Sequence, residues 1–156
     1  MKKVFLVAAI LATAFVQQSF AQDSKKSASS ELISSYYNLK DALVKGNSGA
    51  AALSATELSI AFSAGKEMIP EVMLASLIKD ADAIAKAKNI KVQRDNLVSL
   101  SARMIELSKT ITLSAAPVYE QYCPMQKASW LSSSKAVKNP YYGSAMLTCG
   151  SVRSTL

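Results

Sequence analysis

The sequence has 156 residues and contains no histidine. This absence excludes catalytic triads built on histidine and removes the commonest general base of enzymes. It also disfavours zinc, because the two cysteines alone would leave a tetrahedral zinc site short of protein ligands. No glycine-rich phosphate loop follows a predicted strand. We therefore expect a binding protein and not an enzyme.

Acidic residues are few: eleven aspartates and glutamates stand against eighteen lysines and arginines, and the formal net charge is +7. No acidic residue follows Glu120. The basic residues form neither a dense run nor a stripe interleaved with aromatic residues, so we expect no nucleic acid partner. Ordinary solvated lysines are the favoured interpretation, and an anionic partner or a membrane surface is the alternative.

One long apolar run is present, and it lies at the start of the chain. Lys2 and Lys3 precede residues 4–16, which are apolar except for Thr13, and Ser19-Phe20-Ala21 supplies a small-x-small cleavage site. This layout predicts a signal peptide over residues 1–21, cut after Ala21, and hence a periplasmic or secreted protein. A membrane span needs ~20 residues, so we expect no transmembrane segment in the mature chain. A buried N-terminal helix is the less favoured alternative.

The mature chain would be a flexible polar leader, 22–30, followed by a single helical domain, 31–156. Four helices are expected in the segment 31–114, where apolar residues recur every three or four positions. The first helix is expected between Ser29 or Ser30 and Gly46, and the second between Asn47 or Ser48 and Gly65. The third is expected between Pro70 and Asn89, and the fourth between Asn89 and Pro117. The clearest apolar seam is Leu97, Leu100, Met104, Leu107 and Ile111 in the fourth helix. The pattern predicts an all-α fold, an antiparallel four-helix bundle.

Two acidic residues of the third predicted helix, Asp80 and Asp82, are the nearest approach to a paired acid site. Residues two apart on a helix do not share a face. We therefore expect them to be solvated charges.

The segment 117–156 differs in composition from the helices before it. It holds five aromatic residues, punctuated by proline, glycine and serine: Tyr119, Tyr122, Trp130, Tyr141 and Tyr142. No alternating strand pattern is visible, so we expect an irregular loop with room for one helical turn, strapped over the end of the bundle. We call this segment the strap. Its rings are expected to cover the core.

Both cysteines lie in the strap, at Cys123 and Cys149. In an exported protein, an even pair of cysteines predicts a disulfide, which would stabilise the strap by ~3–4 kcal/mol.

A soft-metal site is the competing interpretation, because two methionines accompany the cysteines. Cys123-x-Met125 would place two sulfurs on one side of an extended segment, and Met146-x-x-Cys149 two more on one face of a helical turn. Thiolates and thioethers suit Cu(I), whereas an oxidised pair could not bind as thiolates. Methionines also fill gaps in cores, so both interpretations stay open.

The chain resembles an uncharacterised bacterial periplasmic domain family that occurs alone and as a C-terminal appendage of heavy-metal efflux adaptor proteins. The similarity runs from about Glu31 to Val152 and is carried by these segments: residues 36–43, Ala83-Ile84-Ala85, Val92-Gln93-Arg94, Pro117-Val118-Tyr119, Cys123-Pro124-Met125, Trp130-Leu131-Ser132, Asn139-Pro140-Tyr141-Tyr142-Gly143, Met146-Leu147 and Cys149-Gly150. The resemblance implies a helical domain associated with copper or related metals, with an efflux adaptor as the implied partner.

Two functional hypotheses follow. In the first, the protein is a periplasmic Cu(I)-binding accessory protein with Cys123, Met125, Met146 and Cys149 as ligands, shielded from water by Trp130 and Tyr141. In the second, a Cys123–Cys149 disulfide staples a helical interaction module of the cell envelope. Its partner surface would then be Trp130 with the turn Asn139, Pro140, Tyr141, Tyr142 and Gly143.

Overall fold

The computed structural model describes residues 27–156. The predicted signal peptide and residues 22–26 of the predicted leader lie outside the described residues. Helix α1 covers 27–45, so residues 27–30 are helical and the helix begins before the predicted caps at Ser29 and Ser30. Four fully buried side chains at helical spacing hold it on the core: Leu32, Tyr36, Leu39 and Leu43. Gly46, with φ +72°, follows its end, as the sequence predicts.

Three further helices follow: α2 (Ser48–Ala64), α3 (Glu71–Lys86) and α4 (Ile90–Thr110). Asn47 caps α2 by accepting a hydrogen bond from Ala50 N at 2.9 Å, and Asn89 caps α4 by accepting one from Lys91 N at 2.8 Å. Pro70 immediately precedes α3. The starts of these helices agree with the sequence-based prediction, because capping depends on residues close together in the chain. Helices α3 and α4 end at Lys86 and Thr110, before the predicted limits at Asn89 and Pro117.

Helix α2 packs on α3 and α3 packs on α4, and the buried core also includes side chains of α1 and of the strap. The predicted seam of α4 is buried at Leu97, Leu100, Met104 and Leu107, whereas Ile111 is the half-buried residue that ends the helix. Each such leucine stabilises the fold by roughly 1.5–3 kcal/mol relative to an exposed position. No helix in residues 27–156 is long and apolar enough to cross a membrane.

Asp80 and Asp82 both connect neighbouring helices. The expectation of solvated charges is wrong for Asp80, whose side chain is 14% exposed, and it agrees with Asp82, whose side chain is 41% exposed. Asp80 on α3 accepts a hydrogen bond from Arg103 Nε on α4 at 2.9 Å. Asp82 accepts one from Ser59 Oγ on α2 at 2.9 Å, and this bond is the main reason that the pKa of Asp82 is lowered. The two carboxylates point to different helices, as their spacing on α3 requires.

The strap contains a three-stranded antiparallel sheet, so the all-α prediction is wrong for this part of the chain. Its strands are β1 (Tyr119–Cys123), β2 (Ala128–Ser132) and β3 (Ser151–Thr155), in the order β2-β1-β3. The single helical turn expected in the strap is present as a 3₁₀ helix, Gly143–Met146. Four helices still make up most of the described chain.

The sequence-based prediction missed the strands because apolar and polar residues do not alternate along them between buried and exposed positions. Gln121 is polar yet fully buried, and Trp130 and Leu131 are adjacent and both fully buried. The strand period of two is therefore absent from the hydrophobicity pattern. Lys127, with φ +54°, closes the turn between β1 and β2 without the glycine that usually marks such a position.

Candidate functional site

Strand pairing brings the two cysteines together. Cys123 is the last residue of β1, and Cys149 lies two residues before β3. Because β1 pairs with β3 in a register that sets Tyr122 opposite Ser151, the chain before β3 passes beside the end of β1. Both residues are free cysteines; Cys123 is buried and Cys149 is half-buried. We call these two side chains the dithiol.

The two thiols lie close enough to interact. Burial raises the pKa of the Cys149 thiol, and the neighbouring Cys123 raises it further through charge repulsion. The sulfur of Cys123 also accepts a hydrogen bond from Gln126 N at 3.4 Å. The dithiol therefore pairs an enclosed sulfur, which already has a backbone donor, with a sulfur that solvent can reach in part.

The two methionines relate differently to the dithiol. Met125 is 61% exposed in the turn after β1, so the extended Cys-x-Met arrangement expected from the sequence does not form, because β1 ends at Cys123. Met146 is half-buried at the end of the 3₁₀ helix. Cys149 N donates to Met146 O at 3.1 Å, so the backbone makes one turn between these two residues, while the shared face for their sulfurs stays a prediction.

Aromatic rings pack against the dithiol segments. Trp130 is fully buried, and its ring meets that of Tyr141 edge to face with centroids 5.7 Å apart. Gly150 has φ +145°, and a Cβ there would lie 2.7 Å from Tyr122 O and 3.0 Å from Trp130 Cη2. Only glycine fits after Cys149, since the backbone passes directly over the indole.

Asn139 is the residue of this region that the sequence-based prediction underrated. Its side chain is fully buried; Oδ1 accepts hydrogen bonds from Tyr141 N at 2.9 Å and Tyr142 N at 3.3 Å. Its Nδ2 donates to Cys149 O at 2.8 Å. The Asn-Pro dipeptide signals a turn in the sequence, but nothing local in the sequence shows that the amide reaches Cys149.

The rest of the predicted partner surface is also largely enclosed. Pro140, Tyr141 and Gly143 are buried and Tyr142 is half-buried. Gly143 has φ +57°, and a Cβ on it would overlap Arg94 Nη2 on α4 and lie 2.9 Å from Val44 O on α1. These residues therefore pack the strap onto the ends of two helices.

The residue types around the dithiol limit the metals that could bind there. Across residues 27–156, no three histidine, cysteine, aspartate or glutamate side chains are grouped so that they could hold a metal ion. The donors near the site are then two thiols and the thioether of Met146, one turn away. Such a set favours a soft ion of low coordination number.

A family model with the description "Protein of unknown function (DUF3347)" matches residues 32–115. The chain belongs to the DUF3347 family. The matched residues cover the four helices except for the first turns of α1, and the strap with its dithiol lies beyond the match. The resemblance to a domain of unknown function is thus confirmed, while the periplasmic setting and the efflux adaptor remain predictions. No curated protein and no solved structure matches this DUF3347 chain.

Proposed function

We propose that this DUF3347 protein is an exported accessory protein that binds Cu(I) between the thiolates of Cys123 and Cys149. The observation that carries the proposal is the contact between the two thiols, set by the pairing of β1 with β3. Thiolates are the soft ligands that Cu(I) prefers. The protein binds its metal and catalyses no reaction on it.

The surroundings of the dithiol support this proposal. Half-buried Cys149 gives the ion a path to the site, while the enclosed Trp130 and Tyr141 limit the access of water. Met146 supplies a thioether one turn from Cys149, and Met125 supplies an exposed one from the turn after β1. Thioethers cost little to desolvate and hold Cu(I) without adding charge.

The arrangement of the whole protein belongs to the same proposal. The four helices form an antiparallel bundle that carries the dithiol on its strap, the chain works in the periplasm, and its partner is a heavy-metal efflux adaptor. These points rest on the short links between helices, the N-terminal apolar run and the family resemblance.

Competition with a chromogenic Cu(I) chelator under reducing conditions tests the metal site. We expect uptake by the wild type, loss of uptake in the Cys123→Ser/Cys149→Ser double variant, and weaker uptake in Met146→Leu. The matched control is Met73→Leu on α3, a half-buried methionine remote in sequence from the dithiol, which should bind as the wild type does. Unchanged uptake in the double variant overturns the proposal.

A second candidate function is a disulfide-stapled interaction module that docks on an envelope partner. It is favoured by the same contact, because two neighbouring thiols need little backbone movement to join. Protein taken directly from its compartment under thiol-blocking conditions would then contain no reactive thiol before reduction. Two free thiols in such a sample would contradict the staple and leave the metal site standing.

A further inference from the structure

A continuous set of contacts runs from the end of α1 to Cys149. Arg94 Nη2 on α4 donates to Leu43 O at 2.8 Å, and Gly143 lies directly against that guanidinium. Gly143 N donates to Asn139 O at 3.0 Å. Asn139 Nδ2 in turn donates to Cys149 O at 2.8 Å. These contacts, through Asn139, fix the position of Cys149 relative to the helices.

We infer that Asn139 is a positioning residue that holds Cys149 against Cys123. The inference rests on the proposed role of the dithiol as the functional unit. Cys149 lies outside any helix or strand, and Gly150 after it takes a φ of +145°. Because glycine restrains the backbone weakly, the carbonyl of Cys149 needs an external partner to keep one orientation. Asn139 provides that partner from a fully buried position.

The chemistry requires an amide at this position. The carbonyl half of the side chain accepts from Tyr141 N and Tyr142 N, and the amino half donates to Cys149 O. In Asn139→Asp the carboxylate keeps the acceptor but sets a negative oxygen against the Cys149 carbonyl. A carboxylate has no proton to donate, so the bond to Cys149 O is lost.

The equilibrium with glutathione measures the positioning without any metal. Two protein thiols react with one glutathione disulfide; the Cys123–Cys149 bond forms, and the two protons pass to two released glutathione thiols. The oxidised fraction in buffers of known composition is trapped by alkylation and counted by mass. The position of the equilibrium reports how well the two sulfurs are held together.

We expect Asn139→Asp to form the disulfide with an equilibrium constant about 5–10-fold lower than that of the wild type near pH 8, the size of one lost hydrogen bond. Asn139→Ala should show a similar deficit, and both variants should keep the helical circular dichroism of the wild type. The control is Asn96→Asp on α4, whose side chain donates to Val92 O at an exposed position and should match the wild type.

Wild-type equilibria in both Asn139 variants overturn the inference. Loss of helical circular dichroism in both variants also overturns it, because Asn139 would then support the fold as a whole. The proposed function fails separately: a wild type that takes up no Cu(I) refutes the metal site, while the glutathione equilibrium still decides the role of Asn139.

Discussion

The hydroxyl of Tyr36 on α1 lies 2.7 Å from Ser101 Oγ on α4. The same hydroxyl accepts a hydrogen bond from Leu131 N on β2 at 3.3 Å. Tyr36 and Ser101 are both fully buried, so these bonds form away from water. One phenol therefore joins two helices to the sheet that carries the dithiol, and the strap is attached to the helical core by a polar contact as well as by packing.

Tyr36→Phe should lower the free energy of unfolding by about 1–3 kcal/mol, because it leaves Leu131 N and Ser101 Oγ buried without this partner. Urea denaturation of Tyr36→Phe, Ser101→Ala and the double variant measures the coupling between the two side chains. The effects should be less than additive, since each single change already breaks the shared bond. Ser99→Ala, which removes an exposed hydroxyl on α4, is the control and should change little. Additive effects would show that the contact contributes no coupling energy.

The free energy of unfolding should fall at alkaline pH, in part because the buried Tyr36 ionises less readily than it does in the unfolded chain. Burial raises the pKa of Tyr36 to about 12, against an ordinary value near 10. Between these values the unfolded chain loses the phenol proton while the folded chain keeps it, so the folded state binds more protons and stability decreases as pH rises from about 10 to 12. The shifted pKa of Tyr36 should lower the free energy of unfolding by roughly 2–3 kcal/mol over that range. Denaturation of Tyr36→Phe at about pH 8 and pH 11 should show a shallower loss than the wild type, and an equal loss would contradict this assignment.

The helices were open to prediction because their signals are local. Asn47 and Asn89 cap the residues that immediately follow them, and Gly46 takes the left-handed conformation that only glycine adopts freely. The sheet was not predictable in the same way, because its strands depend on partners remote in the chain. Gln121 shows why: its Nε2 donates to Ser134 O at 2.9 Å, so a polar side chain is buried by a loop that no local pattern identifies.

The candidate site was predictable only at the level of residue type. The presence of Cys123 and Cys149 in one segment suggested that they meet, and strand register places them side by side. The prediction of extended geometry from Cys123 to Met125 was wrong, because a turn begins directly after Cys123. The role of Asn139 could not be predicted, since its bond to Cys149 O joins residues ten positions apart in the chain.

Interhelical and intrahelical ion pairs should differ in strength. The Arg103–Asp80 pair joins α4 to α3 at 2.9 Å, with the Asp80 side chain 14% exposed. The Lys91–Asp95 pair lies within α4 at the same distance, with its side chains 82% and 53% exposed. Asp80→Asn should lower the free energy of unfolding by about 1 kcal/mol, whereas Asp95→Asn should change it little, because both of its paired side chains are exposed. Thermal or urea unfolding in low and high salt checks both, and equal effects would show that burial of Asp80 adds nothing.

Substitution of glycine by alanine should have opposite effects at two positions. At Gly143, alanine would be forced into φ +57° with its Cβ against Arg94 Nη2 and Val44 O, so we expect a loss of at least about 1–3 kcal/mol. At Gly49, in the first turn of α2, the nearest atom to a new Cβ is Asn47 Oδ1 at 3.6 Å, and alanine should stabilise the helix by about 0.5 kcal/mol. Because Gly143 seats the turn that begins at Asn139, Gly143→Ala should also expose the thiol of Cys149 to faster alkylation, while Gly49→Ala should leave that rate unchanged. Destabilisation without faster alkylation would mean that the contact between Gly143 and Arg94 supports the fold but does not hold the dithiol.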